Sequence, residues 1–448
     1  MSDQAVTGPA AIRNESFPSP AYAWYVVGIL YLAYTLSFID RQILALVIGP
    51  IREDFQITDF QVSLIQGLAF AIFYTIMGIP LGRIADSHSR KGLVMAGVSL
   101  WSLMTVLSGL ASNYWQLFLA RMGVGVGEAS LSPAAYSIIA DSFPKDKRGF
   151  PINIYSAGIM CGAGLAYIFG GIAVQFAMTG GAQDIFFLGN LEPWQISFVL
   201  VGIPGLPIVL LMTTIREPVR KELMSQTPEV SIRKTFRYIR KYRVAYGSQI
   251  IGTAFFVLTV YSVFSWVPTI FIRRFAWTQG QIGPWFGTII LVFGTGGLVA
   301  VGLLAQWLMR RGVKAPYSKL LLMSQVLVII PLSLMMVVES PYWILGCLAI
   351  VFLFLGSTAG LPPAILQAIT PNEMRGQITA VYLFAVNLIG LAIGPSAVAA
   401  MTDFYFKDDL AVGSSLVTVT VIASVIGVVI LGLGMRSYIR KLDEDASL

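Results

Sequence analysis

Four charged side chains lie inside stretches of sequence that are otherwise apolar. Asp40 and Arg41 are adjacent within residues 24–49, and Arg121 and Glu128 lie within residues 115–140. A charge at the centre of a bilayer costs on the order of 3 kcal/mol on insertion scales. Charges that are kept there ordinarily serve a substrate or proton pathway, so these four residues are the first candidates for function.

The two acids and the two arginines have complementary chemistry. Burial disfavours the charged form of a carboxylate and a nearby arginine favours it, so a carboxylate under both influences can exchange a proton. We therefore predict Asp40 and Glu128 as proton-coupling residues. Arg41 and Arg121 keep their charge and match the geometry of carboxylates and phosphates, so we predict that they bind an anionic headgroup or pair with the acids. The alternative is a static pair, such as Asp40 with Arg121, that holds two helices together.

Arg41 has a further interpretation because of its place on the helix. Successive residues of a helix point about 100° apart, so Arg41 and Asp40 face different neighbours. A role of Arg41 in packing or in an outer gate therefore stays open beside the headgroup role.

The composition of the chain defines the elements that must hold these charges. Of the 448 residues, 56% are hydrophobic and 12% are charged, whereas soluble domains carry about 25% charged residues. Apolar stretches of about 20 residues recur along the chain, and each can cross a bilayer as a helix. We predict an all-α polytopic membrane protein with twelve transmembrane helices, at residues 24–49, 59–81, 91–112, 115–140, 150–177, 194–215, 244–271, 281–309, 317–338, 341–369, 377–402 and 410–435.

The distribution of lysine and arginine predicts the orientation of these spans. With a cytoplasmic N-terminus, 24 of the 30 Lys and Arg residues fall on the cytoplasmic side, as the positive-inside rule expects. We therefore predict an integral protein of the bacterial inner (plasma) membrane with both termini in the cytoplasm. The same asymmetry explains the net charge of +7 without a nucleic-acid partner.

Sequence features recur between the two halves of the chain. Gly82 and Gly302 each begin a segment that ends in a basic pair, and we call the separation of these two glycines the first offset. Residues 144–149 and 371–376 share Pro, Arg and Gly at matching places, and their separation is the second offset. Parallel six-helix halves related by an axis along the membrane normal are a transporter architecture. We therefore predict two six-helix halves.

The repeat divides the chain into five segments. We predict a cytoplasmic N-terminal segment (1–23), an N-terminal six-helix half (24–215), a basic cytoplasmic linker (216–243), a C-terminal six-helix half (244–435) and a cytoplasmic tail (436–448). Within the linker, Ile232, Phe236 and Ile239 share one helical face, and basic residues surround them. This pattern predicts either a short helix on the anionic inner membrane surface or a solvated charged linker.

Glycines spaced four residues apart occur in two of the spans. Gly123 and Gly127 lie in span 4, and Gly158 and Gly162 lie in span 5. Such pairs let helix backbones approach closely, so we predict a packing role for them. A hinge role is the alternative.

The loop after span 2 and its counterpart after span 8 resemble the gate motif of the major facilitator superfamily. The residues that carry the resemblance are Gly82, Asp86, Arg90, Lys91, Gly302, Arg310 and Arg311. The resemblance implies the major facilitator fold, with spans 1, 4, 7 and 10 around a central cavity. It also implies a loop that latches the cytoplasmic gate when the protein faces outward. Gly82 is predicted to permit a tight turn there.

Three segments of the first half resemble the Spinster family, namely residues 38–41, 121–130 and 138–148. That family is implied to move lysolipids and sphingoid-type lipids. The expected function is therefore secondary active transport, by alternating access and with proton coupling, of an amphipathic substrate of the lysolipid or sphingoid phosphate type. A proton-coupled organic-anion or sugar-acid symporter is one alternative, and a non-transporting membrane receptor or scaffold is another.

The second half lacks the charges of the first. By the two offsets, Asp40, Arg41, Arg121 and Glu128 correspond to Val260, Tyr261, Leu348 and Leu355. A cavity with one polar and one apolar wall suits an amphiphile, whereas a sugar or an amino acid would require polar contacts on both sides. This asymmetry supports a lipid-like substrate independently of the resemblance.

Motifs of other functional classes are absent from the sequence. It contains no Walker loop, zinc-ligand spacing or nucleophile elbow, so we predict neither an enzyme nor a metal or cofactor site. The expected partners are the amphipathic substrate, protons and membrane lipids, and the chain is expected to act as a monomer.

Overall fold

The computed structural model of this chain describes residues 17–144, 147–180, 189–220 and 231–446. The predicted N-terminal segment, the linker and the tail therefore lie partly outside the described residues, as does Lys145 of the first repeat motif. Within the described ranges the chain is helical and contains no β-strand. The all-α prediction is confirmed.

Eleven continuous helices in the described part of the chain are long and apolar enough to cross a membrane. The fourth predicted span is also present, but as two shorter helices, Tyr114–Glu128 and Leu131–Ser142. We number the resulting twelve spans in chain order: Pro20–Leu46, Asp59–Ser87, Arg90–Ser108, Tyr114–Glu128 with Leu131–Ser142, Gly149–Met178, Pro193–Thr213, Arg243–Phe275, Gln279–Arg310, Pro316–Val337, Pro341–Ala368, Arg375–Phe406 and Asp409–Asp445.

Span 4 is interrupted beside one of its charges. Pro133 has no N–H group to bond to the carbonyl of Ala129 four residues earlier, which weakens the helix at that point. At the same place the hydroxyl of Ser130 donates to the carbonyl of Gly127, at 2.8 Å. Glu128 is consequently the last residue of the first segment of this span.

Successive spans run in opposite directions and leave their ends on two faces of the bundle. The short helix Ile232–Lys241, here the linker helix, connects the two halves. We call its side of the bundle the linker face; there Arg220 donates to the carbonyl of His88, and Lys314 pairs with Asp443. The opposite side is the far face, where the helix Ile48–Phe55 lies between spans 1 and 2.

Matching turns precede spans 2 and 8. Gln56 and Ala276 both adopt the left-handed conformation, with φ of 51° and 52°. Shortly after each, Thr58 and Thr278 form a capping box with the glutamine at the third helical position. Both pairs are related by the first offset, so the first half (spans 1–6) and the second half (spans 7–12) repeat one local structure.

Gly67 and Gly287 mark equivalent contacts between the halves. A Cβ atom on Gly67 would lie 2.5 Å from the carbonyl oxygen of Leu391, and one on Gly287 would overlap the carbonyl oxygen of Gly164. The two glycines are related by the first offset and their partners by the second, so both offsets describe the same pseudo-symmetry. Span 2 thereby packs on span 11, and span 8 on span 5, in the far part of the bundle.

The prediction of a tight turn at Gly82 was wrong. Gly82 lies within the helix Phe70–Ser87, and Gly302 lies within Thr295–Arg310. The chain leaves span 2 only at His88, whose backbone is extended. A Cβ atom on either glycine would meet open space, so neither packing nor backbone strain demands glycine there.

Candidate functional site

Asp40 and Arg121 form a buried ion pair between spans 1 and 4. Nη1 of Arg121 lies 2.6 Å from Oδ1 of Asp40, and Thr105 of span 3 donates its hydroxyl to the other carboxylate oxygen. Asp40 is 2% exposed and Arg121 is 1% exposed. Because both oxygens of Asp40 are bound, this pair ties three helices of the first half together.

Arg41 pairs with Glu128, the second acid of the cluster. Nε and Nη2 of Arg41 lie 2.6 and 2.5 Å from Oε2 of Glu128. Ser37, one helical turn before Arg41, donates its hydroxyl to the same oxygen at 3.0 Å. The four charges thus form two pairs, each joining span 1 to span 4.

The two carboxylates differ in how their oxygens are used. Three donors converge on Oε2 of Glu128, whereas its Oε1 is buried and has no hydrogen-bond partner among the described residues. Asp40 instead has a donor on each oxygen. A proton added to Oε1 of Glu128 would meet no competing donor there, which makes Glu128 the better placed of the two acids for protonation.

Aromatic rings surround the guanidinium of Arg41. Its central carbon lies 4.6 Å from the ring centroid of Phe38, 4.5 Å from that of Phe70 and 4.8 Å from that of Tyr74. Ring faces attract a cation, most strongly where water is excluded. The rings therefore stabilise the charge of Arg41 and leave a surface that is both cationic and apolar.

The second half places one polar group beside this surface. Tyr261, the counterpart of Arg41, interacts electrostatically with the Arg41 guanidinium. The other three counterparts, Val260, Leu348 and Leu355, are buried apolar side chains. Of the four second-half positions that correspond to the charges, only Tyr261 thus carries a polar group.

Polar side chains of span 7 bind within the second half. Gln249 accepts a hydrogen bond from Ser318 of span 9 at 2.9 Å. Thr259 and Ser424 of span 12 lie 3.3 Å apart, oxygen to oxygen. These contacts stabilise the packing of span 7 against neighbouring helices of the second half.

Sequence reasoning missed several of these partners. Ser37 precedes Arg41 by four residues, so the helical period alone places both on one face. Thr105 is a hydroxyl within the apolar span 3, where Trp101 also offers it a carbonyl at 2.8 Å. The rings of Phe70 and Tyr74 come from span 2, and nothing in the sequence pattern marks them as neighbours of Arg41.

The predicted packing glycines differ in how closely other helices approach them. A Cβ atom on Gly127 would lie 2.7 Å from the backbone nitrogen of Trp101, and one on Gly162 would lie 2.8 Å from the carbonyl oxygen of Thr35. At Gly123 the nearest atoms belong to a methionine side chain, and at Gly158 the nearest contact is an ordinary 3.4 Å. Gly127 and Gly162 are therefore the positions where a side chain would collide with backbone.

Arg90 of the gate motif binds within the first half. Its side chain is fully buried, pairs with Asp141 of span 4 and lies 3.2 Å from Glu217 after span 6. Burial raises the pKa of the Glu217 carboxyl, but hydrogen bonds from Ser89 and Arg90 outweigh it and place the pKa below its ordinary value. Glu217 therefore stays charged and fastens the start of span 3 to the end of span 6.

The other gate residues lie at the linker face. Lys91 donates to the carbonyls of Thr213 and Ile215 at 2.7 and 2.6 Å. Asp86 is exposed. In the second copy, Arg310 and Arg311 are exposed, and Arg311 stacks over Trp307 at 4.0 Å. The structure thus joins Arg90 and Lys91 to their own half and leaves Asp86 and the second-copy arginines at the surface.

Ion pairs join the two halves at the far face. Arg273 of the second half donates to both oxygens of Asp59 at 2.7 and 2.8 Å. Arg52 of the first half lies 3.2 Å from Asp59 and 2.9 Å from Asp409 of the second half. The Asp59 side chain is fully buried. With Gly67 and Gly287, these pairs close the far side of the bundle.

Comparison with known proteins identifies the class. The model of the Major Facilitator Superfamily matches residues 30–395. An "MFS-type efflux pump" of Mycolicibacterium smegmatis is 29% identical over 443 residues, covering 95% of this chain and 96% of that protein. The chain therefore belongs to the major facilitator superfamily and is an integral membrane transporter.

Within the superfamily the chain is similar to Spinster proteins. "Protein spinster homolog 1" of Xenopus laevis is 35% identical over 204 residues, covering 45% of this chain and 36% of that protein. A solved bacterial homologue of the human lysosomal transporter Spinster, in an inward-facing and unoccupied conformation, superimposes with a TM-score of 0.77. That structure is 26% identical and covers 95% of this chain and 98% of its own. The resemblance found in the sequence is confirmed over nearly the whole fold.

Proposed function

We propose that this chain transports an amphipathic, anionic lipid-like substrate, of the lysolipid or sphingoid phosphate type, by proton-coupled alternating access. The proposal rests on the asymmetry between the two halves around Arg41, which we take as the two walls of the substrate cavity. Arg41 offers a guanidinium framed by rings, while Val260, Leu348 and Leu355 stand at the equivalent charged positions of the second half. A charged head would bind the first wall and an alkyl tail the second.

The proposed coupling uses competition for Arg41. While Glu128 is ionised it holds the guanidinium through Oε2. Protonation of Glu128 removes that negative charge and leaves Arg41 available to a substrate phosphate or carboxylate, which guanidinium matches in geometry. Asp40 and Arg121, bound to each other and to Thr105, are proposed as the positioning pair that orients spans 1 and 4.

The proposed orientation places the linker face in the cytoplasm of a bacterial cell and the far face outside. Closure at Asp59 and Arg273 then corresponds to an inward-facing state, and release of that contact to the outward-facing one. Arg90 and Lys91 are proposed to leave their partners in their own half and join the latch when the linker side closes. The transporting unit is proposed to be a single chain.

Two measurements test the proposal together. Mass spectrometry of ligands that co-purify with the protein identifies the substrate class, and flux of that ligand in liposomes, with and without a pH gradient, tests coupling. An anionic lipid that accumulates only with the gradient supports the proposal. A small carboxylate as the transported ligand would favour the organic-anion symporter, and a bound ligand without flux would favour a receptor.

A further inference from the structure

The linker helix, Ile232–Lys241, is fixed to the second half along one face. Thr235 is only 3% exposed. Lys441 of span 12 is 4% exposed, and its Nζ lies 5.5 Å from the ring centroid of Tyr238 and 4.5 Å from that of Tyr242. The contacts with Lys441 set the rotation of the linker helix about its own axis.

That rotation turns an aromatic ring and three arginines outward. Phe236 is 68% exposed, and Arg233, Arg237 and Arg240 are exposed as well. At 100° per residue, Arg240 lies about 40° from Phe236 and Arg233 about 60° from it, on the same side. The ring of Phe236 therefore projects beside the guanidinium groups of Arg233 and Arg240, at the edge of the helix face that packs on the second half.

The apolar face predicted for this helix is only partly retained. Ile239 is half-buried and packs against the core of the bundle. Ile232 was the third member of that face, and its side chain lies outside the described residues. Phe236 is therefore the apolar group that the helix offers to its surroundings, and the basic residues around it decide what those surroundings are.

We propose that the face formed by Arg233, Phe236, Arg237 and Arg240 binds anionic phospholipid headgroups of the adjoining membrane surface. Helices that bind at such surfaces combine a basic polar face with an aromatic or aliphatic side chain at the headgroup boundary. Guanidinium binds phosphate through two parallel hydrogen bonds, which adds geometry to the charge attraction. The inference does not depend on which substrate the transporter carries.

Lipid binding by the full-length protein tests this proposal. Native mass spectrometry would compare retention of phosphatidylglycerol and phosphatidylcholine by the wild type and by the triple variant Arg233→Gln, Arg237→Gln and Arg240→Gln. Each basic side chain at an anionic surface contributes a factor of about five in affinity, so we expect a loss of about a hundredfold for phosphatidylglycerol alone. Phe236→Ser should weaken the binding of both lipids.

A matched control removes three exposed basic residues elsewhere on the linker side, Arg216→Gln, Lys319→Gln and Arg436→Gln. Both triple variants keep Thr235, Tyr238 and Lys441, and an unchanged melting temperature in each would show that the fold is intact. The proposal predicts a much smaller loss for the control. An equal loss in both variants, or wild-type affinity in the linker-helix variant, would overturn it.

Discussion

The guanidinium of Arg41 binds a single oxygen of Glu128, with Nε at 2.6 Å and Nη2 at 2.5 Å from Oε2. Oε1 of the same carboxylate is buried and, within the described ranges, has no hydrogen-bond partner. The pair therefore combines a strong charge-assisted contact with a vacant acceptor on which a proton can sit. Protonation at Oε1 would remove the negative charge and so weaken the contact of Arg41 with Oε2, as the proposed coupling role of Glu128 requires.

The pair of Asp40 and Arg121 should behave differently, as a structural contact. In Asp40→Asn the guanidinium of Arg121 would keep a buried charge without a counterion, which costs about 3–5 kcal/mol. We expect a clear fall in melting temperature in detergent. Thr105→Val, which removes one hydrogen bond to Asp40, should cost about 1 kcal/mol. An unchanged melting temperature for Asp40→Asn would show that the pair does not stabilise the fold.

Tyr261 should contribute to substrate affinity from the second half. Its phenol interacts with Arg41, so Tyr261→Phe is expected to weaken binding of the co-purified anionic ligand by about 1 kcal/mol. The melting temperature should stay the same, because the ring is retained. Tyr405→Phe, at a residue 75% exposed near the far face, serves as the control. If Tyr261→Phe binds as tightly as the wild type, the second wall contributes apolar contacts only.

The sequence was sufficient to predict the architecture because the apolar stretches that form the spans, and the repeat that relates the two halves, can be recognised in it. Both offsets between the halves reappear in the contacts of Gly67 with Leu391 and of Gly287 with Gly164. The pairing of charges was less predictable. Glu128 lies about 10 Å from Arg121 along span 4. Because Arg41 is adjacent to Asp40, which pairs with Arg121, its depth alone would place Arg41 level with Arg121 and not with Glu128. Only the side-chain conformation of Arg41 brings it to Glu128.

Other features depended on tertiary contacts. The partners of Arg90, which are Asp141 and Glu217, lie on span 4 and after span 6, and sequence spacing does not bring them together. The interruption of span 4 has a local cause in Pro133, yet an apolar run with one proline is equally consistent with a continuous kinked helix. The linker pattern predicted either a short helix on the membrane surface or a solvated charged linker. The structure contains the helix, and its contacts with Lys441 determine which face is buried.

The far-face contact centred on Asp59 should control which side of the protein is open. Asp59→Asn removes the charge that Arg52 and Arg273 share. We expect the population that is open at the far face to rise, as measured by distances between spin labels placed on the far ends of the two halves. The exposed Glu53 on the neighbouring helix provides the control Glu53→Gln. Identical distance distributions in Asp59→Asn and the wild type would contradict this role.

Gly67 and Gly287 should be needed for closure of the same side. A methyl group at either position would collide with a backbone carbonyl of the opposite half. Overpacking of this kind costs about 1–3 kcal/mol, so Gly67→Ala and Gly287→Ala should each slow transport and lower the melting temperature. Gly28→Ala is the matched control, because its Cβ would meet open space. Wild-type behaviour of both variants would show that the halves do not pack as closely there during transport.

The central claim is that Glu128 carries the coupling proton and competes with substrate for Arg41. It is tested most directly by uptake of the co-purified ligand into liposomes under an imposed pH gradient, comparing the wild type with Glu128→Gln. The account predicts that Glu128→Gln loses gradient-driven accumulation and retains exchange of ligand between the two sides without a gradient. Full gradient-driven accumulation by Glu128→Gln would contradict it.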